Sequence, residues 1–198
     1  MTEALSSLYE RVRRETALRF PGQEDGLVFS CGQAEGCTAV LIGEAPGEQE
    51  VKMKRPFSGK AGKNLDEFLH LSGIEREKLF ITNTVKLRPS EAGPTGRVRN
   101  RAPNRQELDL FIPFLLEELK LVSPPLCVTL GNTPLKALLG SDKSISSCHG
   151  QLLKTEDGLP VYCLYHPAAV IYRRELKAVY EQDVRRLGAY ITRGELPV

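Results

Sequence analysis

Four short apolar runs recur along the chain, at residues 38–43, 79–85, 125–131 and 160–166. They are rich in Val, Ile, Leu and Thr and carry few polar residues, which is typical of parallel strands buried on both faces. Apolar residues at helical spacing lie before, between and after these runs, at residues 3–20, 61–72, 104–121, 133–139 and 175–193. Strands that alternate with helices predict the α/β class, here one three-layer α/β/α domain over residues 1–198 with a central four-stranded parallel sheet.

The composition is that of an ordinary globular protein, with 41% hydrophobic and 26% charged residues. No apolar run approaches the roughly 18 residues that a membrane-spanning helix needs. Residues 1–15 are charged and lack the apolar core of a signal peptide. We therefore expect a cytoplasmic monomer without a membrane partner.

The cysteines give no metal-binding or disulfide pattern. There are five, with irregular spacing and no C-x2-C pair, and an odd number argues against a disulfide framework. Cys127 and Cys163 fall in predicted strands and suit a buried core. Cys31 and Cys37 lie in a predicted loop, where a metal role has only weak support, so we expect no metal site.

Chemistry-bearing side chains follow the ends of three predicted strands. After the first strand come Glu44, Ala45, Gly47 and Glu50, then a basic patch with Lys54 and Arg55, then Phe57. Asn83 interrupts the second strand and His166 ends the fourth. Open α/β sheets bind ligands at this carboxyl edge, and the turn has neither a Walker lysine nor the spacing of a dinucleotide fingerprint.

These side chains suit the cleavage of an N-glycosidic bond, although each has a structural alternative. Asn83 either makes a structural hydrogen bond or reads a flat heterocycle, where one amide orientation fits uracil and opposes cytosine. Phe57 either stacks on a base or belongs to the core. His166 is either a structural histidine or a donor to a leaving-group oxygen. Glu44 and Glu50 are candidates to stabilise a sugar cation or to orient water.

A basic stretch at residues 88–105 has no apolar periodicity and is rich in Pro, Gly and Arg. This composition predicts a long loop that leaves the same edge of the sheet. Arg97, Arg99 and Arg101 suit phosphate oxygens of a nucleic-acid backbone. The alternative is a solvated flexible loop, and the net charge of +2 is too small to decide between them.

Six segments in order resemble the family-four uracil-DNA glycosylases: GEAPGEQE, RPFSGKAGKNL, ITNTVKLRP, NRAPNRQEL, VTLGNTPLKALLG and LYHPAAVI. The resemblance runs from about residue 40 to residue 186. It implies an enzyme that flips uracil, or other deaminated bases, out of DNA and hydrolyses the glycosidic bond without a cofactor in the chemistry.

The resemblance also implies residue roles. Glu44 and Glu50 match the acid positions, Phe57 the stacking ring, Asn83 the uracil-reading amide and His166 the leaving-group donor. Ala45 and Gly47 join the base-binding wall, and Gly47 stands where other uracil glycosylases place a bulky ring that excludes thymine. Val170 and Ile171 fall where the family inserts a wedge into the duplex, beside Arg173.

One departure concerns an iron–sulfur cluster that the family usually holds on four cysteines. Leu87 and Phe111 stand at two of the ligand positions, and the N-terminal region has no C-x2-C pair. We therefore expect no cofactor and apolar packing in place of the cluster. A non-catalytic binder of damaged or single-stranded DNA is the alternative of a different class, although a pure binder has no need for Glu44, Glu50 and His166 together.

Overall fold

The structure is a computed structural model. It describes residues 2–93 and 96–193, except for the side chains of Ile171 and Tyr172. The strands are β1 (Cys31–Gly32), β2 (Ala39–Gly43), β3 (Leu79–Asn83), β4 (Ser90–Ala92), β5 (Val98–Asn100), β6 (Cys127–Leu130), β7 (Leu152–Lys154) and β8 (Pro160–Leu164). The α-helices are α1 (Glu3–Arg19), α2 (Glu48–Met53), α3 (Lys60–Ser72), α4 (Arg105–Val122), α5 (Asn132–Leu139), α6 (Ile145–Cys148), α7 (Pro167–Tyr172) and α8 (Lys177–Arg193).

Six strands form the main sheet, in the order β1-β3-β2-β6-β8-β7. The four central strands are parallel and correspond to the four apolar runs. The strands at the two margins pair antiparallel with β3 and β8. The α/β class is therefore confirmed, but the predicted count of four strands is wrong. The marginal strands are two and three residues long, too short to give an apolar run.

Helices cover both faces of the sheet because alternate residues of each strand point to opposite sides. On β2, Ala39 and Leu41 pack in one apolar cluster with side chains of α3 and α8. Val40 and Ile42 pack in a second cluster with side chains of α1, α4 and α5. None of the helices in the described residues is both long and apolar enough to span a membrane.

The basic stretch is more ordered than the sequence predicts. It contains the hairpin of β4 and β5, in which Ser90 pairs with Asn100 and Ala92 with Val98. The helix α4 begins directly after it, where Asn104 and Glu107 cap each other reciprocally at 2.9 and 2.7 Å. All residues of the strands β4 and β5 are exposed, which is why no apolar pattern marked them as strands.

Candidate active site at the carboxyl edge of the sheet

A cavity of about 650 Å³ lies where the parallel strands β2, β3, β6 and β8 end. The predicted residues that line it are Glu44, Ala45, Gly47, Glu50, Phe57, Asn83, Arg101, His166 and Arg173. Lys54, Arg55, Arg97, Arg99 and Val170 are not among its lining residues in the described part of the chain. The structure thus brings the predicted acids, amide, aromatic ring and imidazole to one concave site, as parallel strands with a common carboxyl edge allow.

Glu50 stabilises the segment that follows β2, residues 44–57, which we call the acidic turn. Its Oε2 accepts the backbone N–H of Gly47 at 2.6 Å, and its Oε1 accepts that of Phe57 at 3.1 Å. Burial raises the pKa of the Glu50 carboxyl, while these two N–H groups lower it. Each oxygen of this carboxylate therefore already has a backbone donor, and its clearest role is to join the start of α2 to Phe57.

Phe57 stands in an unusual backbone conformation. Its φ is 52°, in the left-handed region that few non-glycine residues adopt. Its ring packs so closely on Gly43 that a Cβ there would lie 2.7 Å from it, and a Cβ on Gly62 would lie 1.8 Å from the Phe57 carbonyl oxygen. These two glycines and Glu50 therefore fix the ring against the end of β2.

Glu44 extends the end of β2 into the cavity. Its Oε2 accepts the hydroxyl of Thr133 at 2.5 Å, whereas the structure records no partner for Oε1 among the described residues. Its backbone carbonyl accepts the N–H of Val85 at 3.0 Å, which ties the acidic turn to the segment after β3. Glu44 is thus a half-buried carboxylate with one oxygen available to the cavity.

Asn83 ends β3 with a side chain that is buried but incompletely bonded. The residue is 3% exposed, and its amide nitrogen has no hydrogen-bond partner among the described residues. Its Oδ1 lies 2.3 Å from where a Cβ of Gly43 would stand, so glycine is required for this approach. A buried N–H pair without a partner is rare in folded proteins, and here it borders a cavity that can hold an acceptor.

His166 begins α7 and is held in one tautomer. Its Nδ1 accepts the backbone N–H of Ala168 at 3.1 Å, so the ring hydrogen of the neutral form lies on Nε2. Burial lowers the pKa of His166 to about 4, which keeps the ring neutral at physiological pH. The ring centroid lies 6.0 Å from that of Phe57. His166 therefore offers the cavity a neutral N–H donor.

The predicted DNA-binding arginines differ in how freely they can bind. Arg101 forms a bidentate ion pair with the buried Glu107, with both distances 2.7 Å. Arg99 pairs with Glu91 at 2.9 Å. Arg97 is exposed and makes no ion pair with any described residue. The guanidinium of Arg101 is thus already engaged by an acid, which sequence alone did not reveal.

Val170, a predicted wedge residue, is buried in this structure. Its side chain is 7% exposed and belongs to the apolar cluster beneath α7. Ile171, the other predicted wedge residue, has a side chain that lies outside the described residues. Among the predicted DNA-binding residues nearby, Arg55 and Arg173 are exposed, and Lys54 donates to the backbone carbonyl of Asp25. Their contacts to DNA stay a prediction.

Sequence reasoning missed several lining residues. Asn132 lies at the start of α5, where its Oδ1 accepts the N–H of Ile145 at 2.8 Å. Tyr165 also lines the cavity and stacks on His149 at 4.9 Å. Asn100 reaches the cavity from the hairpin. Asn132 and Thr133 could have been predicted as site residues from the sequence, because they directly follow the third apolar run.

The sequence profile described as "Uracil DNA glycosylase superfamily" matches residues 29–187. This chain belongs to that superfamily. The matched range contains every residue of the candidate site. Membership in the superfamily therefore agrees with the resemblance seen in the six sequence segments.

Several relatives of the chain are named type-4 uracil-DNA glycosylases. A type-4 uracil-DNA glycosylase of Thermotoga maritima is 32% identical over 96% of this chain and 95% of its own length. The enzymes of the same name from Sulfurisphaera tokodaii and Archaeoglobus fulgidus are 35% and 34% identical, over 75% and 78% of this chain. They align with 67% and 77% of their own lengths.

Leu87 and Phe111 stand at two positions that the resemblance to the family-four enzymes assigns to iron–sulfur ligands, and both are buried apolar residues, 2% and 0% exposed. They belong to an apolar cluster with Val12, Leu27, Val85 and Leu110. Apolar side chains cannot replace thiolate ligands. Within the described residues, no group of three or more His, Cys, Asp and Glu side chains has a metal-binding arrangement.

Proposed function

We propose that the protein is a monofunctional DNA glycosylase that flips uracil out of DNA and hydrolyses its N-glycosidic bond, leaving an abasic site. The observation that carries this proposal is the unpartnered amide nitrogen of Asn83, buried beside Phe57 and His166 in one cavity. The relatives named type-4 uracil-DNA glycosylases support the same enzyme class.

Recognition of the base would use Asn83 and Phe57. The free amide N–H of Asn83 suits the O4 carbonyl of uracil, and its Oδ1 suits the N3–H. Cytosine presents an amino group and an unprotonated ring nitrogen at these positions, so both contacts would oppose it. The ring of Phe57, fixed by Gly43 and Gly62, would stack on the base, a contact worth roughly 1–3 kcal/mol.

Departure of the base would use His166. Cleavage leaves negative charge on uracil, and the Nε2–H of a neutral imidazole can donate to the O2 atom as that charge develops. A preorganised donor in a site without bulk water acts mainly on the transition state. Because burial lowers the pKa of His166 to about 4, this donor does not depend on protonation near pH 7.

The two acids would have different roles. Glu44 has an oxygen without a recorded protein partner and is the better candidate to orient water or stabilise the sugar cation. Glu50 has both oxygens bonded to backbone N–H groups and would act by holding the turn and Phe57 in place. The sequence does not distinguish the two acids. We propose that Glu44 acts on the substrate and that Glu50 supports the site.

Contacts to DNA would come from the exposed cations around the cavity. Arg55, Arg97 and Arg173 are exposed and suit phosphate oxygens. Lys54 borders the same turn, and Arg99 and Arg101 would contribute less because each already pairs with an acid. Deaminated bases other than uracil belong to the proposal only as further substrates to be assayed.

We further propose that the chain is a single-domain cytoplasmic monomer that binds no iron–sulfur cluster. The apolar cluster around Leu87 and Phe111 supports the last point, since it packs the region where the family's ligands would stand. It lies apart from the proposed chemistry, because neither residue is among the described residues that line the cavity.

The deciding experiment is a cleavage assay on oligonucleotides with uracil, hypoxanthine, xanthine or thymine opposite each base. We expect the enzyme to remove uracil, so that alkaline treatment of the abasic product breaks the strand at that position. For His166→Ala we expect the single-turnover rate to fall by roughly 10²–10³-fold. Tight binding of uracil-containing DNA with no cleavage of any substrate would instead favour the non-catalytic binder.

A further inference from the structure

A buried ion pair lies directly behind Asn83, on the side of the sheet that faces α1 and α4. The ammonium of Lys86 and the carboxylate of Glu118 lie 2.7 Å apart, and their side chains are 1% and 0% exposed. Neither belongs to the described residues that line the cavity. Burial of two charges has a high desolvation cost, and in some proteins buried ionic groups are retained because they confer conformational specificity. This pair therefore points to a role beyond packing.

Every donor of the lysine is used. Besides Glu118, the ammonium donates to the hydroxyl of Thr82 at 2.6 Å and to the backbone carbonyl of Asn83 at 2.7 Å. Glu118 in turn accepts the hydroxyl of Thr82 at 2.9 Å and that of Tyr9 at 2.6 Å. A fully satisfied polar network in a low dielectric is rigid, and this one includes the main chain of Asn83.

The bond from Lys86 holds the main chain of Asn83, whereas the side-chain amide makes no hydrogen bond through its nitrogen to any described residue. The amide oxygen packs against Gly43. Two torsions join the amide to the Cα of Asn83, so a displacement of the end of β3, whose carbonyl Lys86 holds, would move the amide with it. The position of the amide therefore depends on how the main chain of Asn83 is held.

We propose that Lys86, held in place by Glu118, is a positioning residue that fixes the amide of Asn83 toward the base. This inference rests on the proposed function, because it assumes that Asn83 reads uracil. Lys86 itself touches no substrate. It acts through the carbonyl of Asn83, on the face of the sheet opposite the cavity.

The test is a double-mutant cycle on the single-turnover rate of uracil cleavage. One change is the pair Lys86→Met with Glu118→Gln, which removes both charges and leaves the glutamine amide to bond Tyr9 and Thr82. The other change is Asn83→Ala. We expect the pair to lower the rate about tenfold when Asn83 is present, and by less than about twofold in the Asn83→Ala background, since coupled residues are not additive.

Tyr9→Phe is the matched control. It removes a hydrogen bond from the same network at the far oxygen of Glu118 but leaves the bond from Lys86 to Asn83. We expect lower stability and a wild-type cleavage rate at a temperature where the variant is folded. Affinity for abasic DNA should be unchanged in all these variants, because phosphate contacts dominate it.

A spectroscopic readout separates positioning from general stability. The side-chain amide signals of Asn83, assigned by their loss in Asn83→Ala, should be a single sharp pair in wild type and in Tyr9→Phe. They should shift or broaden in the paired variant. If that variant does not fold, Glu118→Gln alone is the milder change, with the same expected pattern and about a threefold loss of rate.

Two results would overturn the positioning role while leaving the proposed function intact. One is a folded paired variant with wild-type rate and unshifted Asn83 signals. The other is an equal loss of rate with and without Asn83. If the wild-type protein does not cleave uracil, or if Asn83→Ala cleaves it at the wild-type rate, the proposed function or its site assignment fails first, and the inference fails with it.

Discussion

The rings of Phe57 and His166 lie 6.0 Å apart, centroid to centroid, and are tilted by 33°. Phe57 comes from the turn before α3 and His166 from the start of α7, so two distant segments form one continuous wall of the cavity. The wall has an apolar part that suits a flat base and a donor part that suits a carbonyl oxygen.

The first prediction separates the two acids. Glu44→Gln should lower the single-turnover rate of uracil cleavage by about 100-fold and change the free energy of unfolding by less than about 0.5 kcal/mol. Glu50→Gln should lower that free energy by roughly 1–3 kcal/mol, because an amide cannot accept both the Gly47 and Phe57 N–H groups. Rapid-quench kinetics measures the cleavage rate, and urea unfolding measures the free energy of unfolding. The reverse pattern would exchange the roles of the two acids.

The second prediction concerns the titration of His166. Its folded pKa of about 4 lies below the ordinary value of 6.5. At His166 the unfolded chain therefore binds more protons between these values, so the contribution of this residue to stability should fall as the pH drops from 6.5 to 4 and should level off below that. Ring signals followed by NMR should titrate near pH 4, and His166→Gln should flatten the stability profile. A midpoint near 6.5 would contradict the buried neutral ring.

The third prediction concerns the amide of Asn83. Asn83→Asp should lower uracil cleavage at pH 7 by at least about 100-fold, because a carboxylate cannot donate to O4 and leaves the site's contacts unpaired. Asn104→Asp makes the same change at the cap of α4, where only an acceptor is needed, and should keep the wild-type rate. Equal rates for the two variants would remove Asn83 from base recognition.

The fourth prediction compares two arginines of the basic stretch. Arg97→Gln should reduce the slope of log affinity for DNA against log salt by up to about one unit and leave stability unchanged. Arg101→Gln should lower the free energy of unfolding by roughly 1–3 kcal/mol, since it leaves Glu107 buried without its charged partner. Its effect on the salt slope should be smaller. A larger change of slope for Arg101→Gln than for Arg97→Gln would mean that Arg101 leaves Glu107 and binds a phosphate when DNA is present.

The fifth prediction concerns iron. The purified protein should be colourless and contain no stoichiometric iron, because Leu87 and Phe111 give the family's cluster positions no thiolate. Iron analysis and a visible spectrum check this. About four irons per chain with thiolate charge-transfer absorption near 400 nm would contradict it. Leu87→Ala should instead destabilise the fold by about 2–5 kcal/mol, as expected for a cavity in an apolar cluster.

The sequence predicted the central strands well because burial on both faces leaves a continuous apolar run. It did not predict β7 or the β4–β5 hairpin, since short or exposed strands are formed by pairing with neighbours and leave little trace in hydrophobicity. The polar residues of the site could also be predicted, because each lies at the end of one of these apolar runs. Parallel strands share a carboxyl edge, so chain position alone places Glu44, Asn83 and His166 together.

The support of the site could not be predicted, because it depends on contacts between distant segments. The bond from Thr133 to Glu44 and the ion pair of Lys86 with Glu118 each join residues far apart in the chain. Lys86 directly follows the second apolar run, and nothing in the sequence there reveals that its ammonium is buried. The same limit explains Val170, whose place in a surface motif gave no sign that it packs inward.

The short antiparallel strands at the two margins of the sheet also affect how the chain meets its own copies. An exposed edge strand presents unpaired N–H and C=O groups to which another chain can add a strand. Here β1 has two residues and β7 three, and each lies outside a longer apolar parallel strand. The strands β3 and β8, which are longer and more apolar, therefore have a neighbour on both sides. Only short strands are left at the margins of the sheet, which limits aggregation through its edges.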